Sequence, residues 1–185
     1  GLSYTAFEIA SAITDVTENA ITVEAVVKNT GDTAGKEVVE VYVEAPQGML
    51  GKPSRVLAGF AKTQVIAPEE EEKVTIVSPK KAYASYDDSG VTGHKDSFLL
   101  EAGSYKIYAG ADVRTAALAG SYEQELKVIE QLEEACAPSE QFERMTRDAD
   151  GTLVYKKIPA REFGPYDRIE KPEEIAYTGD KGYKL

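Results

Sequence analysis

The clearest structural signal lies in residues 21–44, which read ITVEAVVKNTGDTAGKEVVEVYVE. On both sides of its centre, apolar residues occupy every second position, a period that places them on one face of an extended strand. Asn29, Gly31 and Gly35, between the two alternating segments, are residue types that tolerate a tight reversal of the chain. The stretch therefore predicts two β-strands, and we expect them to pair with each other as a hairpin.

Downstream of this stretch, proline and glycine residues predict a loop over residues 45–53. Val56, Leu57 and Phe60 follow it and are the apolar residues expected to bring the chain back into the core. The acidic run at residues 69–72 is interpreted as a solvated turn between strands.

Two later segments, residues 73–77 and 105–109, repeat the alternation of a strand, with a loop over residues 87–93 between them. No long helical pattern occurs between residues 21 and 110. Several short strands separated by turns are typical of an antiparallel β-sandwich. We therefore predict an all-β fold, with the sandwich spanning residues 1–114.

The remainder, residues 115–185, is predicted to form a final strand followed by an extended arm. Residues 122–136 fit both a helical stripe and a strand, and we favour the strand. Residues 148–151 resemble a turn between two short extended segments, 142–147 and 152–158.

Composition excludes several classes of function. With 185 residues, 42% of them hydrophobic, the chain can bury a core, and its net charge of −11 disfavours binding to nucleic acid. It has no run of about 20 apolar residues, so we expect no membrane span. A single cysteine, Cys136, and a single histidine, His94, cannot form an internal disulfide or a multi-ligand zinc site, and no metal or cofactor is expected. The unpaired cysteine favours a cytoplasmic location.

Residues that could catalyse a reaction are few, and each has a simpler interpretation. His94 lies among loop residues, and the chain has no Gly-x-Ser-x-Gly motif for a nucleophilic serine. Cys136 lacks the basic neighbours that activate a thiol. The pairs Asp87-Asp88 and Glu133-Glu134 are expected by chance in a chain with 32 acidic residues, and strand neighbours point to opposite faces. We predict no catalytic residue, no cofactor-binding residue and no metal ligand.

Eleven tyrosines and no tryptophan are the remaining suggestive feature, because aromatic faces can stack on sugar rings. Tyr83 and Tyr86 flank a loop, while Tyr105 and Tyr108 are expected on opposite sides of one strand. These four residues therefore do not predict a single stacking platform.

Several segments carry ordered motifs: GLSYTAF at residues 1–7, VKNTGDTAGKEVV at 27–39, KPSRVLAGFAK at 52–62, SYD at 85–87 and LEAGSYKIYAG at 100–110. In this order they resemble the fibronectin type III-like domain of glycoside hydrolase family 3 enzymes, chiefly β-glucosidases. The resemblance implies an immunoglobulin-like or fibronectin type III-like sandwich at residues 1–114.

The later segments 142–145, 171–175 and 177–185 resemble the connector in family members whose sandwich precedes the catalytic barrel. The resemblance implies that residues 115–185 are a final strand and a linker arm toward a catalytic domain. The family's retaining chemistry uses an aspartate in the barrel and a glutamate acid/base, usually in or near an α/β sandwich domain. The barrel motifs of the type S-D-W and K-H do not occur here, so no catalytic residue is carried over.

We therefore expect a structural module that is inactive on its own, with the α/β sandwich and barrel domains of its parent enzyme as partners. Contacts between copies in an oligomer fit the same interpretation, and the parent rather than this chain would bind the carbohydrate substrate. The alternative is a carbohydrate-binding module that uses the loops 45–55 and 87–97. A free-standing adhesion domain is disfavoured because the proline-broken tail resembles a connector between domains.

Overall fold

A computed structural model describes residues 3–133, 138, 140–148 and 150–160. In this part of the chain it contains twelve β-strands and one short 3-10 helix, Lys80–Tyr83, so the all-β prediction is confirmed. The strands are β1 Phe7–Val16, β2 Ala20–Asn29, β3 Val38–Glu44, β4 Val56–Lys62, β5 Glu71–Pro79, β6 Ser85–Asp87, β7 Ser97–Leu100, β8 Gly103–Gly110, β9 Ala117–Gln124, β10 Lys127–Gln131, β11 Phe142–Arg147 and β12 Leu153–Ile158.

The chain forms two compact units, Gly1–Glu134 and Ala135–Leu185. The first holds β1 to β10 and therefore continues past residue 114, because β9 pairs with β8 and β10 pairs with β7. The second holds the hairpin of β11 and β12, in register from the pair Phe142 and Ile158 to the pair Arg147 and Leu153. The part of the expected arm beyond residue 160 lies outside the described residues.

The first unit is built from antiparallel sheets. A three-stranded sheet has the order β1-β2-β5, and a four-stranded sheet has the order β4-β3-β8-β9. A smaller sheet has the order β10-β7-β6. The inner faces of the two larger sheets contribute to one buried cluster, which confirms the predicted sandwich; its central members include Val23, Val27, Val41, Tyr105 and Ile107.

The predicted hairpin between the first two alternating segments is wrong. β2 pairs with β1 and β5, whereas β3 pairs with β4 and β8, so the two strands lie in different sheets. The intervening segment is held open by Asn29, which is fully buried. Its Nδ2 donates to the backbone oxygens of Thr33 and Ile66, each at 2.9 Å, and its Oδ1 accepts from the Gly31 amide at 3.0 Å.

Gly31 and Gly35 complete this crossing between the sheets. A Cβ at Gly31 would lie 2.2 Å from Thr5 Oγ1 and 2.8 Å from the Ala6 amide nitrogen, so a side chain there would push the start of the chain away. Gly35 exchanges two backbone hydrogen bonds with Ile66, at 3.1 and 2.8 Å. The motif therefore directs a change of sheet rather than a tight hairpin.

The expectation that Leu57 and Phe60 enter the core is also wrong, because both side chains are exposed. β4 is an edge strand of the four-stranded sheet, and it presents Ala58 to the interior instead. A β-bulge at Ala58 of β4, between the pairs Val41–Gly59 and Tyr42–Leu57, shifts the register at this point. Leu57 and Phe60 are both left on the outer face as a result.

Candidate functional site

The loop after β6 is organised by the carboxylate of Asp87, which is fully buried. Asp87 Oδ1 accepts hydrogen bonds from the amides of Ser89, Gly90 and Val91, at 3.1, 2.7 and 3.2 Å. Its Oδ2 accepts from the Thr92 amide at 2.8 Å and from the Thr92 hydroxyl at 2.6 Å.

These contacts decide the ionisation of Asp87. Burial by itself raises the pKa of the carboxyl, but hydrogen bonds from Thr92, Gly90 and Ser89 outweigh it and lower the pKa to about 2. A general acid needs a raised pKa and a free proton to give, so this carboxylate suits loop organisation rather than acid catalysis. Its neighbour Asp88 is exposed, so the two carboxylates do not share one environment.

The loop between β3 and β4 is fastened by a buried ion pair between Lys52 and Glu101, each with 5% of its side chain exposed. Glu101 also accepts from the amides of Met49 at 2.6 Å and Leu50 at 3.3 Å. Gly48 leaves room for this carboxylate, because a Cβ there would lie 2.3 Å from Glu101 Oε1. The second buried carboxylate is therefore also committed to holding a loop.

Three tyrosines form a cluster inside the first unit. The Tyr105 ring stacks on Tyr122 at 5.4 Å and is tilted against Tyr83 at 5.9 Å, and the hydroxyls of Tyr83 and Tyr122 are 2.8 Å apart. Desolvation raises the pKa of Tyr83 and Tyr105. Lys80 Nζ lies 4.8 Å above the Tyr122 ring and donates to Gln124 Oε1 at 2.8 Å. These tyrosines are core residues rather than a sugar platform.

A cleft lies beside the loop 45–55, with a cavity volume of about 180 Å³. This volume is below the roughly 300–1,000 Å³ that is typical of small-molecule sites. Its lining includes Lys52, Pro53, Tyr83 and Tyr86. Tyr86 packs against Phe98 with ring centres 5.2 Å apart and donates from its hydroxyl to Asp96 at 3.3 Å.

The outer face of the four-stranded sheet carries a continuous set of large side chains. Tyr42 of β3 is the register partner of Leu57 on β4 and of Tyr108 on β8, and Tyr108 is in turn the partner of Leu118 on β9. Because register partners point to the same face, these four residues, here called the apolar row, cross the whole sheet. The row is about 14 Å long at the usual strand spacing. Phe60 lies beside it, opposite Glu40.

Charged groups beside the apolar row make hydrogen bonds or ring contacts with other residues of the same face. Glu44 accepts from Lys106 at 2.8 Å and from the Tyr108 hydroxyl at 3.0 Å, and these hydrogen bonds lower the pKa of Glu44. The Arg55 guanidinium lies 3.7 Å above the Tyr108 ring. Tyr42 donates to Glu40, a hydrogen bond that, with burial, raises the pKa of Tyr42 to about 12.

The remaining candidates from the sequence do not assemble into a site. His94 is half-buried in the loop, where its backbone oxygen accepts from Ser97 Oγ at 2.6 Å. Gly151 donates its amide to the Asp148 oxygen at 3.1 Å, which confirms the predicted turn at residues 148–151. Glu133 is exposed. Glu134 and Cys136 lie outside the described residues.

The described residues also offer no metal site and no membrane-spanning helix. They contain no group of three or more His, Cys, Asp or Glu side chains placed to hold a metal ion. No helix in the described part of the chain is long and apolar enough to cross a membrane.

The family model of the fibronectin type III-like domain matches residues 37–113. The match covers β3 to β8, which include three of the four strands that form the outer face described above.

The matched segment and its flanking residues align with parts of larger proteins. A β-glucosidase from Ruminococcus albus is 50% identical over 188 residues, which cover 100% of this chain and 20% of that protein. β-Glucosidase A from Butyrivibrio fibrisolvens is 39% identical over 88% of this chain and 21% of its own length. The chain thus spans about a fifth of the length of these curated relatives.

Solved structures give the same result. The crystal structure of a β-glucosidase from Paenibacillus barengoltzii superposes with a TM-score of 0.77 and 40% identity, covering 88% of this chain and 19% of that one. β-Glucosidase 3B from Thermotoga neapolitana superposes with a TM-score of 0.61 and 35% identity, covering 69% of this chain and 17% of that one. The resemblance to the fibronectin type III-like segment of β-glucosidases is therefore confirmed.

Proposed function

We propose that this chain is a non-catalytic structural module of a β-glucosidase-like family 3 glycoside hydrolase, which hydrolyses terminal β-glycosides with retention. The module supports the packing of the catalytic domains. The observation that carries the proposal is the alignment of the whole chain with only 20% of the R. albus β-glucosidase. The other four-fifths of such a protein have ample length for the catalytic domains.

The state of the two buried carboxylates supports a structural role. Asp87 is surrounded by amides and hydroxyls of its own loop, and Glu101 is paired with Lys52. Retaining glycosidases need two carboxyl groups about 5–5.5 Å apart, one as nucleophile and one as acid. Asp87 and Glu101 instead hold two different loops of the domain.

In this proposal the partners are the barrel and α/β sandwich domains of the same polypeptide, and the sugar binds in those domains. The sandwich precedes the barrel in the chain, as the connector-like segments after residue 142 suggest. A contact between copies in an oligomer is compatible with this arrangement.

A segment exchange tests the proposal. The R. albus β-glucosidase would carry this chain in place of its own aligned segment, and a matched control would lack the segment altogether. We expect the chimera to hydrolyse a nitrophenyl β-glucoside and the deletion control to be unstable or inactive. The isolated 185-residue chain should show no turnover. Turnover by the isolated chain that disappears in Asp87→Asn or Glu101→Gln would overturn the proposal.

A carbohydrate-binding module is the second candidate, motivated by the small cleft beside loop 45–55, where the Tyr86 ring is exposed. Calorimetric titration of the chain with cello-oligosaccharides and soluble glucans separates the two functions. The structural proposal predicts no heat of binding. Saturable binding that Tyr86→Ala removes would favour the carbohydrate-binding function instead.

A further inference from the structure

The outer face of the four-stranded sheet exposes side chains that a solvated sheet face rarely carries. Leu57, Phe60 and Leu118 are 47%, 68% and 58% exposed, and they surround the half-buried tyrosines of the apolar row. An antiparallel sheet with one face in water normally places polar residues on that face. Contiguous exposed apolar side chains of this kind mark a surface that another molecule or domain covers.

The polar groups beside Tyr108 already have partners. Glu44 is satisfied by Lys106 and Tyr108, and Arg55 is stacked on the Tyr108 ring while it donates to the Val113 oxygen at 2.9 Å. Covering the face with protein therefore leaves few buried groups without a partner, which is the usual cost of such burial. Because these polar groups need no further partner, an uncharged protein surface can cover them.

The same contacts disfavour two other occupants. A sugar ring needs an open aromatic face, but the Arg55 guanidinium lies 3.7 Å above the ring of Tyr108. A second copy of the chain would bring two net charges of −11 together. Neither a carbohydrate nor a self-contact therefore fits the row as well as a segment of the same polypeptide.

We propose that the apolar row, together with Phe60, is the surface against which the remaining domains of a β-glucosidase pack. This inference rests on the proposed function and names the surface that performs it. The relatives supply the occupant, because four-fifths of the R. albus β-glucosidase lies outside the region that aligns with this chain. A domain in the same polypeptide is present at a high effective concentration, so a modest area suffices for stable docking.

Cysteine labelling tests this surface directly. Leu118→Cys reports on the apolar row, and Val77→Cys is its matched control, because Val77 is 61% exposed on the outer side of the other large sheet. Each variant is made in the isolated chain and in the R. albus chimera. Maleimide labelling is followed by mass spectrometry of the peptide that holds the new cysteine, so other cysteines do not interfere. Phe60→Cys is a second reporter in case Leu118→Cys fails to fold.

We expect Leu118→Cys to react at least about tenfold more slowly in the chimera than in the isolated chain, and Val77→Cys to change by less than about twofold. Equal labelling of Leu118→Cys in an active chimera would overturn the inference and leave the proposed function standing. A chimera without activity or stability would instead count against the proposed function. Protection in the isolated chain that depends on its concentration, or on added cello-oligosaccharide, would assign the row to a second copy or to a sugar and overturn the inference.

Discussion

The two large sheets have similar inner faces and very different outer faces. On the three-stranded sheet, Glu8, Lys28 and Glu71 form one row of register partners, and Lys28 makes an exposed ion pair with Glu69 at 3.0 Å. On the four-stranded sheet, the apolar row runs across the strands in the same way. The alternation of apolar residues determines which side of a strand is buried within the sandwich. In the proposed module, the chemistry of the other side reflects whether water or protein covers it.

The largest expected effect is the loss of stability when the lysine of a buried ion pair is replaced. Lys52→Met should destabilise the isolated chain by about 3–5 kcal/mol, because it leaves the buried Glu101 carboxylate without its charged partner. Lys73→Met is the matched control, since Lys73 pairs with Glu24 at 2.6 Å on the charged outer face with 57% of its side chain exposed. An exposed pair of this kind contributes about 0.2–1 kcal/mol. Urea unfolding of both variants measures the difference, and equal losses would mean that the charged face is a stabilising network.

The second prediction compares the two sides of the four-stranded sheet. Ile107→Ala should cost about 3 kcal/mol in the isolated chain, because Ile107 is fully buried and the change leaves a cavity. Leu118→Ala, on the outer side of the neighbouring strand, should cost less than about 0.5 kcal/mol. Chemical denaturation reports both values. A large loss for Leu118→Ala in the isolated chain would show that the apolar row is already covered there.

Acid should destabilise the loop after β6, which Asp87 organises and which belongs to neither outer face. The pKa of Asp87 is lowered to about 2, below its ordinary value of 3.8, so the unfolded chain binds its proton more readily than the folded chain does. The carboxylate therefore contributes about 2 kcal/mol to the free energy of unfolding above pH 3.8. This contribution is lost as the pH falls toward 2. Asp87→Asn should remove most of this contribution to the free energy of unfolding at neutral pH. The gap between variant and wild type in urea unfolding should narrow as the pH is lowered, and a gap that stays constant would contradict this assignment.

Local patterns were sufficient to predict much of the fold. The alternation in residues 21–27 and 39–44 predicts β2 and β3, and the proline-bounded segment 73–77 predicts β5. The loop at residues 45–53 and the turn at 148–151 followed from their glycines, prolines and aspartates. The strand interpretation of residues 122–136 is confirmed at β9 and β10 for the residues described there.

Pairing between distant strands could not be obtained from the same patterns. The alternation of β2 and β3 is equally compatible with a hairpin and with two sheets, and the buried contacts of Asn29 decide between them. The apolar row was missed for a related reason. Tyr42 and Tyr108 are far apart in sequence, and they become neighbours only through the register of β3 and β8. Leu57 and Phe60 look like core residues until the β-bulge that leaves both of them on the outer face is known.

In the proposed module, the two outer faces differ because one of them docks the rest of an enzyme. The most direct test compares Phe60→Glu with Val77→Glu, two exposed apolar residues on opposite outer faces, by thermal inactivation of the R. albus chimera. In the isolated chain Val77→Glu should change stability by less than about 0.5 kcal/mol. Phe60→Glu should cost up to about 1 kcal/mol there, because the new carboxylate lies opposite Glu40. In the chimera, Phe60→Glu should speed inactivation at least about tenfold while Val77→Glu leaves the rate nearly unchanged. Equal inactivation rates for the two variants would contradict the account.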